Sequence, residues 1–258
     1  MGWNRVTTCI LLALVLMLGG CTAKTVPQQA TQSVQSVGII SAIGDDLAYQ
    51  GLPEYMWQPI DAYRKDVTVW KIDSFIAEQL SRTLQPKYKI VPVDFDRDAF
   101  LDPKLYQTVL SAGTAPNAGP IGEIVRATVR NPEADLFLVV LRGRVSFGVT
   151  RYFAEGIGVL RTQPPKVSRS YYHAVYRIAV VDGHSFKPLA ILDGVNDETH
   201  PFAGLFHGSP FAEFPAQYWA ADRGQVTVDQ IAWIMEGMKG LFARTLPVTL
   251  RRLHLLEP

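Results

Sequence analysis

The chain has 258 residues, of which 48% are hydrophobic and 10% aromatic, the proportions of a folded domain rather than a disordered one. Its 25 basic and 24 acidic residues leave a formal charge of +1, which excludes the basic footprint of a nucleic-acid binder. The length is that of one sizeable domain with short appendages.

In chain order, Arg5 supplies a positive start and Cys9 to Leu18 is an uninterrupted apolar run. That run suits the central region of a signal peptide. It falls short of the ~20 apolar residues a spanning helix needs. Leu18-Gly19-Gly20-Cys21 resembles the lipobox of bacterial lipoproteins, with a large apolar residue three before the cysteine and small residues between. Small residues let a peptidase approach the backbone, and the thiol is the group that receives the diacylglyceryl chain. The resemblance implies cleavage before Cys21 and acylation of the new amino terminus. Several chains on one residue meet the two-signal requirement for stable anchoring. Thr22 replaces the Asp that retains such proteins in the inner membrane, which implies the outer membrane, facing the periplasm.

Cys9 leaves with residues 1–20 and Cys21 carries lipid, so the mature chain has no thiol left for a disulfide, a metal or a nucleophile. Removing the leader takes Arg5 and no acid, leaving 24 basic against 24 acidic residues. Attachment is therefore expected to rest on lipid rather than on a basic surface. Residues 21–36 form the lipidated cysteine and its tether. Thr22 to Ser36 (TAKTVPQQATQSVQS) is polar and lacks periodic apolar positions. As a coil it spans roughly 20 Å on average and roughly 50 Å at full stretch. Residues 37–258 are expected to form a single domain.

Val37 to Ile43 reads as a buried strand and residues 47–66, with Gly51, Pro53 and Pro59, as irregular. Thr68 to Leu84 carries helical periodicity in Ile72, Phe75, Ile76 and Leu80, and Pro86 stops it. Tyr88 to Val93 is a second strand, so the spacing suggests a βαβ unit. Pro103 to Ala112 is a short helix, 115–120 a Gly/Pro loop and Ile121 to Arg130 a helix. Asp135 to Arg142 is a strongly apolar, central strand with Val145 to Phe153 as its partner. Tyr171 to Val181, Asp182-Gly183 and Leu189 to Leu192 form a hairpin. Residues 193–224 are irregular. Thr227-Val-Asp-Gln230 is a capping box that opens a helix through Thr245, which Pro247 kinks or ends. Leu250 to Leu256 adds a further turn. The fold class is α+β: a mixed β-sheet with helices packed on it. The element order, with an apolar strand ending in Asp182 before a hairpin turn, resembles the anticodon-binding-like domains of envelope proteins. Among these are a Tol–Pal translocation protein and a curli secretion lipoprotein.

Three groups of residues bear chemistry. Asp94-Phe-Asp96-Arg-Asp98 resembles the D-x-D motif of haloacid dehalogenase-like phosphatases, with Asp94 as nucleophile and Asp96 as general acid. Asp98 stands where that family has Thr or Val, and the run otherwise reads as a solvated acidic loop with an aspartate capping a following helix. An EF-hand reading of these residues fails, because Ala99 and Leu105 occupy the positions that need Gly and Glu. Asp193, Asp197, Glu198 and His200, with His207 nearby, are residues a hydrolytic metal accepts, or else an ordinary turn. No G-x-S-x-G, S-x-x-K or Walker A motif occurs, and Gly156-Ile-Gly158 marks a turn or bulge. No metal or other cofactor is expected.

Pro201 to Trp219 holds Phe202, Phe206, Phe211, Phe214, Tyr218 and Trp219 among prolines and glycines. It reads as a partner-binding surface, as the wall of a ligand pocket, or as a segment whose aromatics complete the core. The expected function is that of a lipid-anchored, periplasm-facing interaction or scaffold module, with an envelope protein as partner and self-assembly compatible. The alternatives are a periplasmic metal-dependent hydrolase and a small-ligand-binding lipoprotein.

Overall fold

One 14-residue strand organises the sheet. In the computed structural model, which describes residues 26–27, 33–53, 59–102, 119–131, 133–148, 152–162, 169–196, 206, 208–214 and 227–257, strand β8 (Arg169–Asp182) pairs with four others. Its first half lies between β7 (Phe153–Thr162) and β10 (Phe211–Phe214), and its second between β5 (Leu136–Arg142) and β9 (Pro188–Asp193). The mixed sheet runs β3-β2-β7-β8-β5-β1-β4, where β1 is Ser36–Ala42, β2 Asp46–Leu52, β3 Asp61–Asp66 and β4 Lys89–Val91. A short β6 (Arg144–Ser146) pairs with β7. Four helices pack on this sheet: α1 (Ile72–Leu84), α2 (Arg97–Phe100), α3 (Gly119–Thr128) and α4 (Val228–Arg252). This is the α+β class expected, in a single domain.

β1 is buried along its whole length because parallel β5 and β4 flank it and both faces are covered. α1 and α4 cover one face, where Ile76, Leu80, Met238 and Phe242 meet Val37, Leu138, Val140 and Tyr176 in one cluster. α2 and α3 cover the other face over β1, β5, the second half of β8 and β9, with Phe100, Ile121 and Val125 against Phe137, Val139, Ala179, Val181 and Ile191. Over β7 and the first half of β8 no described helix contributes to the cluster. Phe147, Phe206 and Phe211 fill that place against Leu160, Tyr171 and Val175.

Several expectations change. Most of the described part of 47–66 is not irregular: β2 and β3 form an antiparallel pair from Asp46↔Asp66 to Gly51↔Asp61. β3 is a polar edge strand, DAYRKD, held inward by Tyr63 stacked on Tyr49 at 4.6 Å. The partner of β5 is not the 145–153 stretch, because β6 turns to β7 and leaves that edge to β8. The capping box is present at Thr227 and Gln230, but the helix runs on through Pro247 to Arg252. Pro247 removes one backbone donor. Around it, Thr245 Oγ donates to the Leu241 carbonyl (2.9 Å) and Thr249 Oγ to that of Thr245 (3.0 Å). Both hydroxyls also meet the buried Tyr176 hydroxyl, at 3.2 and 3.0 Å, which fastens the helix to β8. Val26, inside the stretch expected to be a free tether, is fully buried in the helix-face core. The leader, Cys21 and the 103–112 helix lie outside the described residues.

Candidate binding cleft

Among the described residues, a concavity lies at the carboxyl ends of the parallel strands, where ligands of α/β sheets characteristically bind. It encloses about 380 Å³. Ile39 and Ser41 of β1 form its floor and Ala77 and Phe95 its apolar sides. Thr68, Lys71 and Ser74 stand on its rim, with Asp45, Asp73 and Arg97 inside. The local sequence explains the opening. Asp66 accepts from Thr68 N and Oγ at 2.8 and 2.6 Å, setting a 3₁₀ turn over Thr68–Trp70. Lys71 then takes a left-handed conformation (φ 49°, ψ 45°) before α1 begins at Ile72, four residues later than the periodicity suggested. Left-handed backbone is uncommon for a lysine and is a form in which strain collects at functional sites. It leaves α1 without a side-chain cap.

The charged side chains inside the cleft hold one another. Arg97 donates to Asp45 at 2.7 and 3.0 Å and from Nε to Asp73 at 2.9 Å. Asp73 also accepts from Ser41 Oγ and Ile43 N, both at 2.8 Å, which locks α1 to the end of β1. Burial by itself lowers the Arg97 pKa, but the two carboxylates outweigh it and raise it. A second network adjoins the first. Arg142, 14% exposed at the end of β5, donates from Nε to the Ile43 carbonyl (3.0 Å) and pairs with Asp46 (3.3 Å) and Glu155 (3.5 Å). Arg64 reaches the same two carboxylates. Burial pushes the Asp46 carboxyl up, and Arg142 and Arg64 more than reverse this and hold it below the ordinary range. Lys71 makes no ion pair among the described residues and is exposed, so the cleft offers an ammonium and two hydroxyls at its mouth. Such a mouth suits a small polar group bearing negative charge.

The residues singled out in the sequence lie elsewhere. Asp94 is an exposed partner of Arg130 at 3.2 Å. Asp96 caps α2, its side chain accepting from Asp98 N at 3.1 Å. The helix-capping reading of that acidic run therefore holds. Asp193 accepts from Arg177 Nε at 2.6 Å; Asp197, Glu198, His200 and His207 lie outside the described residues, and among those described no three His, Cys, Asp or Glu converge on a metal position. Phe206 and Phe211 are fully buried, stacked at 4.5 Å, and Phe206 meets Phe147 edge-on at 5.1 Å. These two complete the core and present no outer surface. The backbone of Phe214 ends β10, while Phe202, Tyr218 and Trp219 lie outside the described residues.

His173 sits among these aromatics, fully buried, 6.0 Å from the Phe206 ring. A carbonyl can only accept, so Nδ1 donates to Gly156 O at 3.2 Å; Nε2 has no hydrogen-bond partner among the described residues. Gly158 of the Gly156-Ile-Gly158 motif makes room for this ring, while Gly156 lies against Arg142. Gly156 has φ +61° inside a strand, and a Cβ on Gly158 would lie 2.6 Å from Nε2. Burial pushes the imidazole pKa down to about 4, opposed by the Gly156 bond and assisted by Arg64.

The cleft left little trace in the sequence, since Arg97 lies 52 residues from Asp45 and Arg142 lies 96 from Asp46.

No family model and no curated protein matches the chain. Among solved structures it is similar to the hypothetical protein CT253 from Chlamydia trachomatis, at 12% identity and TM-score 0.34, over 88% of this chain and 100% of that one. It is also similar to a neuraminyllactose-binding hemagglutinin homolog from Helicobacter pylori, at 11% identity and TM-score 0.36, over 92% of this chain and 90% of that one.

Proposed function

We propose that this chain is a lipid-anchored, periplasm-facing envelope protein that works as an interaction module, receiving its partner at the cleft. The observation that carries this reading is the direction of β1. The strand begins at Ser36, where the stretch from Cys21 joins, and ends at Ala42 beside the cleft. Its seven residues span about 23 Å, so the attachment point and the cleft lie at opposite poles. The lipobox-like Leu18-Gly19-Gly20-Cys21 supplies the anchor. The joint is fastened: one oxygen of Asp135 accepts from Gln35 N, Ser36 N and Ser36 Oγ, each at 2.9 Å. Those backbone donors hold the Asp135 carboxyl below its ordinary pKa. A membrane-bound partner segment or a soluble envelope protein would meet Val69, 85% exposed and next in the chain to the rim residue Thr68, and the Lys71 ammonium. An acidic side chain flanked by an apolar one fits that mouth. A small-ligand reading uses the same cleft, whose volume lies in the range of small-molecule sites.

A photo-crosslinking residue at Val69, with Val228 as an equally exposed control (81%), tests the reading in intact envelopes. A discrete protein adduct should form from Val69, not from Val228, and Lys71→Glu should diminish it. Equal adducts from both sites, or none from Val69, overturn the cleft as the contact site.

A further inference from the structure

Charge on this fold is sorted along the strand direction. β1, β4 and β5 run parallel from one pole. α1 returns against them, so its end at Leu84 comes back to that pole and leads into β4. α4 finishes there as well. After Arg252 the chain folds back, with Leu255 N donating to the Leu250 carbonyl. The Leu255 carbonyl in turn accepts from Tyr88 Oη at 3.3 Å and Lys87 Nζ at 3.4 Å. Lys87, Lys89, Arg251 and Arg252 are thereby gathered at one end, and all four are exposed. Glu257 is the acid in the same tail, and Arg82 one turn above is occupied by Glu78. Elsewhere on this pole acids are in excess, with Glu133, Asp135 and Asp182 against Lys187 and His184, so the basic patch is confined to the end where α1 and α4 finish.

The lipid enters at this pole. The stretch from Cys21 joins β1 here, where the Gln35 carbonyl accepts from Lys89 N at 2.8 Å and Ser36 pairs with Lys89. Fourteen peptide units join Cys21 to Gln35, no more than about 50 Å of extended chain. An acylated Cys21 would keep the basic end facing the headgroups and within reach of them.

We propose that the pole formed by Lys87, Lys89, Arg251 and Arg252 docks on anionic phospholipid headgroups, seating the domain on the membrane that its lipid enters. This builds on the anchor proposed above, and it replaces the expectation that attachment rests on lipid alone. Each basic side chain near an anionic surface strengthens binding by about a factor of five. The cleft, at the opposite pole, is then directed away from the bilayer.

The test uses the unacylated chain from Thr22, which keeps every core residue from Val26 to Leu255. It is mixed with vesicles of phosphatidylcholine, alone or in a two-to-one mixture with phosphatidylglycerol. Binding should require phosphatidylglycerol and weaken with added salt. Lys89→Gln with Arg251→Gln should lower the partition coefficient about 30-fold. Lys65→Gln with Lys71→Gln makes the same charge change at the cleft pole and should leave it nearly unchanged. Lys87→Gln with Arg252→Gln reads the same patch should the first pair disturb folding. Equal binding to neutral vesicles, equal losses at the two poles, or no binding overturns the proposal. The protein carries no lipid in this assay, so the result is independent of whether Cys21 is acylated.

Discussion

Phe211→Ala should cost about 4 kcal/mol of unfolding free energy, measured by urea denaturation at neutral pH, and Phe206→Ala a similar amount. Both rings are fully buried, stacked on each other and packed against Tyr171 and Phe147. Removing either leaves a ring-sized cavity beneath β10, where no described helix can move in to fill it. The two losses should not add, because the rings are in contact and share neighbours. Val228→Ala, at an exposed site, should stay within about 0.5 kcal/mol of the parent. A loss below 1 kcal/mol for Phe211→Ala would show that the aromatic hub is not part of the core. It would return this segment to the role of a surface for partners.

The second large effect is a pH dependence. His173 is neutral in the fold down to about pH 4, whereas in the unfolded chain an imidazole protonates near pH 6.5. Between these values the unfolded state binds the extra proton, so stability is complete above about pH 6.5 and falls as the pH drops toward 4. About 2 kcal/mol should disappear between pH 7 and pH 5. The carboxylates held below their ordinary range, Asp46, Asp135 and Asp182, lose their contributions at lower pH and leave this window to the imidazole. His173→Phe keeps an aromatic ring among aromatics, gives up the Gly156 bond and should flatten the dependence. Wild-type protein whose denaturation midpoint is unchanged from pH 7 to pH 5 would contradict the buried, neutral imidazole.

Much of the fold was legible where physical signals were local. The apolar runs of β1 and β5, the periodicity of α1, the Asp-Gly turn between β8 and β9 and the capping box at Thr227 each involve neighbours in sequence. What escaped depends on distant partners. β3 has a charged, half-exposed sequence and exists because β2 and the Tyr49–Tyr63 stack hold it. β10 is four residues long between Pro210 and Pro215, too short for periodicity to register, and it forms because β8 has an open edge there. Pro247 reads as a helix end until Thr245, Thr249 and Tyr176 are seen around it. Val26 stands alone among polar neighbours, so nothing in sequence marks it as core.

The site was less legible than the fold. The acidic runs that attracted attention, Asp94 to Asp98 and the stretch from Asp193, are a helix cap and a salt-bridge partner as far as they are described. The cleft is assembled from single polar residues at the ends of elements, none in a motif. Charge was misleading for a related reason. Beyond residue 20 the chain carries 24 basic and 24 acidic residues, yet folding brings Lys87 and Lys89 beside Arg251 and Arg252 at the end of α4, a cluster that the total does not show. Net charge is a property of composition, while a docking surface is a property of topology.

The claim that a lipid on Cys21 holds the domain with its cleft directed outward can be measured as a height. Val69 and Gln85 flank α1, whose 13 residues set them about 20 Å apart. Acylated protein carrying a fluorophore at Val69→Cys or Gln85→Cys is placed on vesicles with an acceptor dye in the headgroups; with Cys21 acylated, the mature chain offers no competing thiol. Energy transfer should be strong from Gln85 and weak from Val69, and Cys21→Ala protein should carry no lipid label. Equal or reversed transfer, or lipid labelling that survives Cys21→Ala, would contradict the account.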